Sequence, residues 1–144
     1  MCGNKKKEQG FTLIELLIVM IILGLLAALV GPRMFGKVGA SKQKSAKAQI
    51  SLFETAIDTY RLETGKFPTT EQGLQALRVK PQSVNRWDGP YLPKNIPPDP
   101  WGNPYVYRCP SEHGDYEIVS LGSDGRPGGQ DEDTDVVSWK NIGE

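Results

Sequence analysis

The densest set of potential ligands lies near the C-terminus, in residues 121–135, Leu-Gly-Ser-Asp-Gly-Arg-Pro-Gly-Gly-Gln-Asp-Glu-Asp-Thr-Asp. Its acids are Asp124, Asp131, Glu132, Asp133 and Asp135, opposed by Arg126 alone. Four glycines let the backbone turn tightly and aim carbonyl oxygens inward. An all-oxygen donor set suits a hard divalent cation such as calcium, which takes about six to eight oxygen ligands. No histidine–cysteine set for zinc accompanies it. The spacing Asp131-x-Asp133-x-Asp135 matches the opening of an EF-hand. However, Val136 stands where that loop needs glycine, and Ile142 where it needs the closing glutamate. Composition leaves two readings open here, a cation site and a solvated acidic loop.

Catalytic chemistry is harder to find. His113 is the single histidine and lies in a turn between Pro110 and Gly114. Asp115 and Glu117 are near it in the chain, with no evident nucleophile. No glycine-rich loop precedes a Lys-Ser/Thr pair as a phosphate cradle would require. The expectation is a non-enzymatic protein with His113 as a surface turn residue.

One further acid is placed oddly. Glu15 sits inside the apolar run from Phe11 to Val30. Twenty residues at about 1.5 Å each span about 30 Å, one bilayer crossing. At the centre of such a helix a carboxylate costs roughly 2.5–3.5 kcal/mol. Near the start the cost falls, and the positive end of the helix dipole favours an acid. Lys5, Lys6 and Lys7 precede the run and orient that end to the cytoplasm. An ordinary secretory signal would be cut after its apolar run, but here an amphipathic helix continues. Removing the three lysines and one glutamate before Phe11 leaves 14 basic and 16 acidic residues, a net charge of −2. No basic patch for nucleic acid remains. Lys37, Lys42, Lys44 and Lys47 read as a solvated face or lipid head-group contact. Of the two cysteines, Cys2 lies in the leader, so Cys109 would stand alone and form no internal disulfide.

The elements that position these groups follow from periodicity. Ala46, Ile50, Phe53, Ile57 and Tyr60 recur at helical spacing on one face. Gly65 should cap the helix, and Pro32 should kink or unwind it near Gly24–Pro32. Thr69 or Thr70 should cap a short second helix over 71–79, with Leu74, Leu77 and Val79 inward. Six prolines from Pro90 to Pro104 exclude a long helix or a central strand, so Trp87, Tyr91 and Trp101 must pin that loop. Residues 105–108 and 116–120 read as an antiparallel hairpin, with 136–139 as a third strand or edge. The fold class is α+β: one long N-terminal helix, half membrane and half amphipathic, packed on a small antiparallel sheet of about three strands with a short second helix.

Gly10-Phe11-Thr12-Leu13-Ile14-Glu15 resembles the signal and N-terminal helix of type IV pilins and pseudopilins. Pro-Thr-Thr-Glu-Gln-Gly-Leu-Gln-Ala-Leu, Trp-Asp-Gly-Pro-Tyr-Leu, Asp-Pro-Trp-Gly-Asn-Pro-Tyr and Ser-Leu-Gly-Ser-Asp-Gly are similar to the major pseudopilins of the type II secretion system. The resemblance implies cleavage between Gly10 and Phe11 by a prepilin peptidase, methylation of Phe11, and pairing of Glu15 with a neighbouring subunit's N-terminal amine. The implied organisation is a leader over 1–10, a membrane or filament-core half-helix over 11–31, an amphipathic half over 32–65, and a periplasmic region over 66–144. The resemblance also implies calcium in the loop 121–135. The side chains of Asp124, Asp131 and Asp133 and the backbone oxygens of Leu121 and Gly128 would hold it, with Asp135 replacing Asp133 or supporting the loop. The implied function is the major subunit of a periplasmic homopolymer that pushes folded exoproteins through an outer-membrane secretin. Minor pseudopilins and an inner-membrane assembly platform would be its partners. Two alternatives stand beside it: a surface pilin for adhesion, motility or DNA uptake, and a membrane-anchored binding module using the aromatic-proline loop.

Overall fold

The computed structural model describes residues 10–144. Residues 1–9, with Cys2 and the three lysines of the expected leader, lie outside the described residues. The chain forms two compact units, one ending at Lys37 and the other running Val38–Glu144. Helix α1 covers Leu13–Thr64. It is helical through Pro32, so the expected unwinding does not occur. Proline removes a single donor at a cost of about 3 kcal/mol, and uninterrupted helix on both sides holds the register. Gly65 ends the helix at φ +80°, and its N–H donates to the Arg61 carbonyl at 2.8 Å. That left-handed conformation is one glycine adopts without strain.

In the first unit the apolar side chains of α1 are exposed, and the helix is long and apolar enough to cross a membrane. The second unit has the core. Ala46, Ile50, Phe53, Ile57 and Tyr60 are buried as their spacing requires, joined by Ala56. They pack on Leu74, Ala76, Leu77, Tyr107, Ile118 and Val136. Burial of a side chain such as Ile57 contributes about 2–3 kcal/mol relative to exposure.

Strands β1 (Val106–Arg108), β2 (Glu117–Ser120) and β3 (Val136–Val137) form one antiparallel sheet in the order β1-β2-β3. Val106 pairs with Val119, and Val119 with Val137. The acidic loop is therefore the connection between β2 and β3.

The second helix is shorter than expected. Thr69 and Gln72 form a reciprocal capping box, with Thr69 Oγ1 accepting from the Gln72 N–H at 3.2 Å and Gln72 Oε1 accepting from the Thr69 N–H at 2.9 Å. Only Leu74–Leu77 is helical, as a 3₁₀ turn. Gly73, at φ +59°, interrupts the turn before it can continue as α-helix. Val79 then faces solvent rather than the core. The proline-rich loop is pinned as expected. Trp87 Nε1 donates to the Ala76 carbonyl at 2.9 Å, and the Tyr91 N–H to the Leu77 carbonyl at 2.8 Å. Tyr91 also stacks edge-on against Tyr60 and Trp87, and Trp101 packs against the core.

Candidate functional site

The start of α1 is built by a local motif. Thr12 Oγ1 accepts the Glu15 N–H at 3.2 Å, satisfying one of the donors a helix leaves open at its N-terminus. Thr12-Leu13-Ile14-Glu15 thus has the spacing of a capping box, which the sequence reading missed although both residues were in view. Glu15 lies in the first turn, where the helix dipole favours negative charge. Gly10 has no neighbours near its α-carbon, and Phe11 is exposed. Beyond them Leu13, Ile14, Leu16, Leu17 and the following aliphatic residues present a continuous uncovered apolar surface.

The acidic loop folds back on its own backbone. The Ser123 N–H donates to the Glu132 carbonyl at 2.9 Å. Gly122, at φ +65°, packs so closely on this return that an added Cβ would lie 2.8 Å from the Asp133 carbonyl oxygen. Asp131 takes a left-handed backbone, φ +51°, at the start of a 3₁₀ turn over Asp131–Asp133. Asp124 Oδ1 accepts the Arg126 N–H at 3.0 Å, and Asp135 Oδ2 accepts the Gly128 N–H at 2.9 Å. Asp135 Oδ1 is buried and receives no hydrogen bond. Burial raises the Asp135 carboxyl above the usual aspartate range; the Gly128 N–H opposes this and the charge of Asp124 adds to it.

Of the loop's acids, Asp124 is the one whose charge adds to the upward shift of Asp135. Asp131 is exposed and offers its carbonyl to α1, while Asp133 lends the loop its main chain. Leu121 is half-buried at the loop entrance, and Gly128 is exposed. Among the described residues no three His, Cys, Asp or Glu side chains converge as a metal-binding group. The feature a cation could use is the buried Oδ1 of Asp135, which receives no donor.

A neighbouring loop carries a buried acid that spacing alone did not single out. Asp99 is 3% exposed. Its Oδ1 accepts the N–H groups of Trp101 and Asn103 at 3.0 and 2.8 Å, and its Oδ2 accepts the Ser120 hydroxyl at 2.6 Å. Asn103 Nδ2 then donates to the Gly122 carbonyl at 2.9 Å, tying this loop to the acidic one. The signal was an aspartate before Pro100 with Gly102 and Asn103 following, a pattern that makes side-chain-closed turns.

His113 is half-exposed and its ring stacks on Trp139, centroids 3.7 Å apart and planes 6° from parallel. Its Nδ1 lies 2.9 Å from Glu117 Oε2. The buried Glu117 also receives the Arg108 guanidinium and the Ser111 hydroxyl, each at 2.8 Å. The His113 hydrogen bond first, then Ser111 and Arg108, hold its carboxyl below the usual range against the opposing cost of burial. Ser111 directs its hydroxyl to Glu117 rather than to His113, so the imidazole does not activate it. This cluster fixes the turn.

Residues 5–31 match the prokaryotic N-terminal methylation motif. The fold aligns with the crystal structure of the major pseudopilin from the type 2 secretion system of enterohaemorrhagic Escherichia coli. The TM-score is 0.63 at 34% identity, over 75% of this chain and 95% of that one. Together these define a type IV pilin-like protein, with an N-terminal methylation motif and a long helix packed on a three-stranded antiparallel sheet. Residues 33–139 match the family described as Type II secretion system (T2SS), protein G. The chain is 41% identical over 141 residues to the type II secretion system core protein G of Pseudomonas aeruginosa, covering 96% of this chain and 99% of that one. It is 40% identical over 137 residues to the core protein G of Vibrio cholerae, covering 93% of each. The chain belongs to the type II secretion system protein G family.

Proposed function

We propose that the protein is the major structural subunit of a type II secretion pseudopilus. Its apolar N-terminal helix anchors it once in the inner membrane, with the N-terminus cytoplasmic and residues 66–144 periplasmic. A prepilin peptidase cuts between Gly10 and Phe11 and methylates Phe11. The subunits then polymerise with minor pseudopilins on the inner-membrane platform, and the periplasmic filament pushes folded exoproteins through the outer-membrane secretin. The protein acts by assembly, not catalysis. The observation that carries this reading is the uncovered apolar surface of α1, beginning at a capped Thr12-x-x-Glu15 turn. A surface exposing so many large aliphatic side chains marks an interaction or membrane site.

The test separates capping from assembly. Glu15→Leu should insert and be cleaved yet form no filament and block export. Thr12→Ala should lose only the cap, about 1 kcal/mol, and still assemble. Normal filaments from Glu15→Leu would refute the assembly role. Deletion of the protein should stop export of secreted enzymes and leave twitching intact; lost surface pili with normal secretion would favour the surface-pilin alternative.

The acidic loop is proposed to hold calcium. Asp124 and Asp135 are the pair whose mutual repulsion a cation would offset, with Asp131, Asp133 and the carbonyls of Leu121 and Gly128 as its further oxygen donors. Bound there, the ion would cross-link the β2–β3 connection in a chain whose cysteine partner is removed with the leader.

A further inference from the structure

Three residues of α1 meet the C-terminal segment at four-residue spacing. Gly39 lies against the Glu132 side chain so closely that an added Cβ would come within 2.8 Å of its Cδ. Gln43 Nε2 donates to the Asp131 carbonyl at 2.6 Å. Lys47 Nζ donates to the carbonyls of Val137, Ser138 and Lys140 at 2.7, 3.0 and 2.7 Å. Residues four apart on a helix lie on one face, so all three contacts belong to one stripe. An ammonium has three donors and no acceptor; the Lys47 ammonium places all three on main-chain oxygens roughly ninety residues away.

We propose that Lys47 is a positioning residue whose tethered ammonium latches residues 137–140 onto α1, and that the Gly39–Gln43–Lys47 face holds the acidic loop closed whether or not that loop carries an ion. The latch acts just past the core residue Val136, where the sheet ends. Strand β3 has only two residues, and beyond it the main chain bonds to the sheet through Ser138, whose N–H donates to the Ile118 carbonyl at 3.0 Å. Trp139 lies between two carbonyls that Lys47 clasps, which places its ring on His113. Gln43 holds the other end of the same segment at Asp131, so the 3₁₀ turn Asp131–Asp133 and the strand after it are gripped at both ends. Hydrogen bonds from a charged donor are about twice as strong as neutral ones. Lysine, unlike arginine, can spread three separate donors around a point.

The test is hydrogen–deuterium exchange on the full-length protein in detergent, with excess calcium and again with chelator. Lys47→Met keeps the aliphatic stem and removes the ammonium. It should speed exchange in peptides covering 136–141 by about tenfold or more in both conditions. Peptides covering 106–120 should exchange as in the wild type. Lys47→Arg should recover part of the protection, and Gln43→Ala should loosen 131–134 alone. Unchanged exchange at 136–141 in Lys47→Met would overturn the proposal. So would an equal rise in the 106–120 hairpin, which would make Lys47 a general stabiliser. An increase confined to the chelated sample would also overturn it, by assigning closure to the ion.

Discussion

Two adjoining loops of the globular region each enclose an aspartate, and they treat it in opposite ways. Around Asp99 both carboxylate oxygens are met, by two backbone N–H groups and a serine hydroxyl. Around Asp135 one oxygen is met by Gly128 and the other is buried without a donor, while Asp124 adds like charge. The carboxylate of Asp99 is fully met, by N–H groups of its own loop and by Ser120 of β2. That of Asp135 has a deficit of positive charge at one oxygen. A buried acceptor left unmet costs about 1–3 kcal/mol, so the second arrangement is the less favourable of the two. The contrast sets a structural aspartate beside the one proposed to meet a cation.

The largest effect should come from breaking the complete loop. Asp99→Ala strands two N–H donors and the Ser120 hydroxyl in a buried place, and should lower unfolding free energy by about 3 kcal/mol in urea denaturation. Asp99→Asn keeps one acceptor for the two N–H groups and should cost about 1 kcal/mol. Equal losses would mean that charge, rather than hydrogen bonding, organises this loop.

Calcium addition sharpens the other side. At about one hundred times its dissociation constant, an ion bound only by the folded state adds about 2.7 kcal/mol. The melting temperature of the wild type should rise with calcium and fall with chelator. Asp135→Asn should abolish this response, and its ion-free form should be no less stable than the ion-free wild type. A wild-type melt indifferent to both reagents would remove the distinction between the loops.

Acid should act through Glu117. Its folded pKa is lowered from 4.5, so the unfolded chain binds more protons in that window. The stability it contributes is full above 4.5 and is lost as pH falls through the folded value. Glu117→Gln should therefore flatten the acid limb of a melting-temperature profile. An identical acid limb would mean that other carboxylates govern it. The smallest effect belongs to Gly39→Ala. The added methyl meets the flexible Glu132 side chain rather than backbone, so the cost should stay below about 1 kcal/mol, offset in part by alanine's better helix propensity.

Much of the fold was legible because apolar spacing reports burial directly. Ile50, Phe53, Ile57 and Tyr60 were placed by periodicity and are core residues. The hairpin followed from β-branched and aromatic runs around turn residues. The second helix was overread, since capping residues mark where a helix starts and say little of where Gly73 will break it. The acidic loop was visible as composition, but which acids face one another was not. That depends on positive-φ glycines and on an aspartate in left-handed backbone, which aim side chains without leaving a periodic trace. The contacts of Gln43 and Lys47 with residues about ninety positions away were hidden for a simpler reason: a lysine on a solvated helix face has the same sequence signature whether or not a carbonyl lies within reach.

The three oxygens that Lys47 engages belong to the peptide backbone, and this has a consequence for variation. Every residue supplies the same carbonyl, so Val137 and Lys140 can be exchanged for other residues without removing an acceptor. The C-terminal tail can thus change its outward chemistry over evolutionary time while its attachment to α1 persists, with the constraint concentrated on one lysine in the helix.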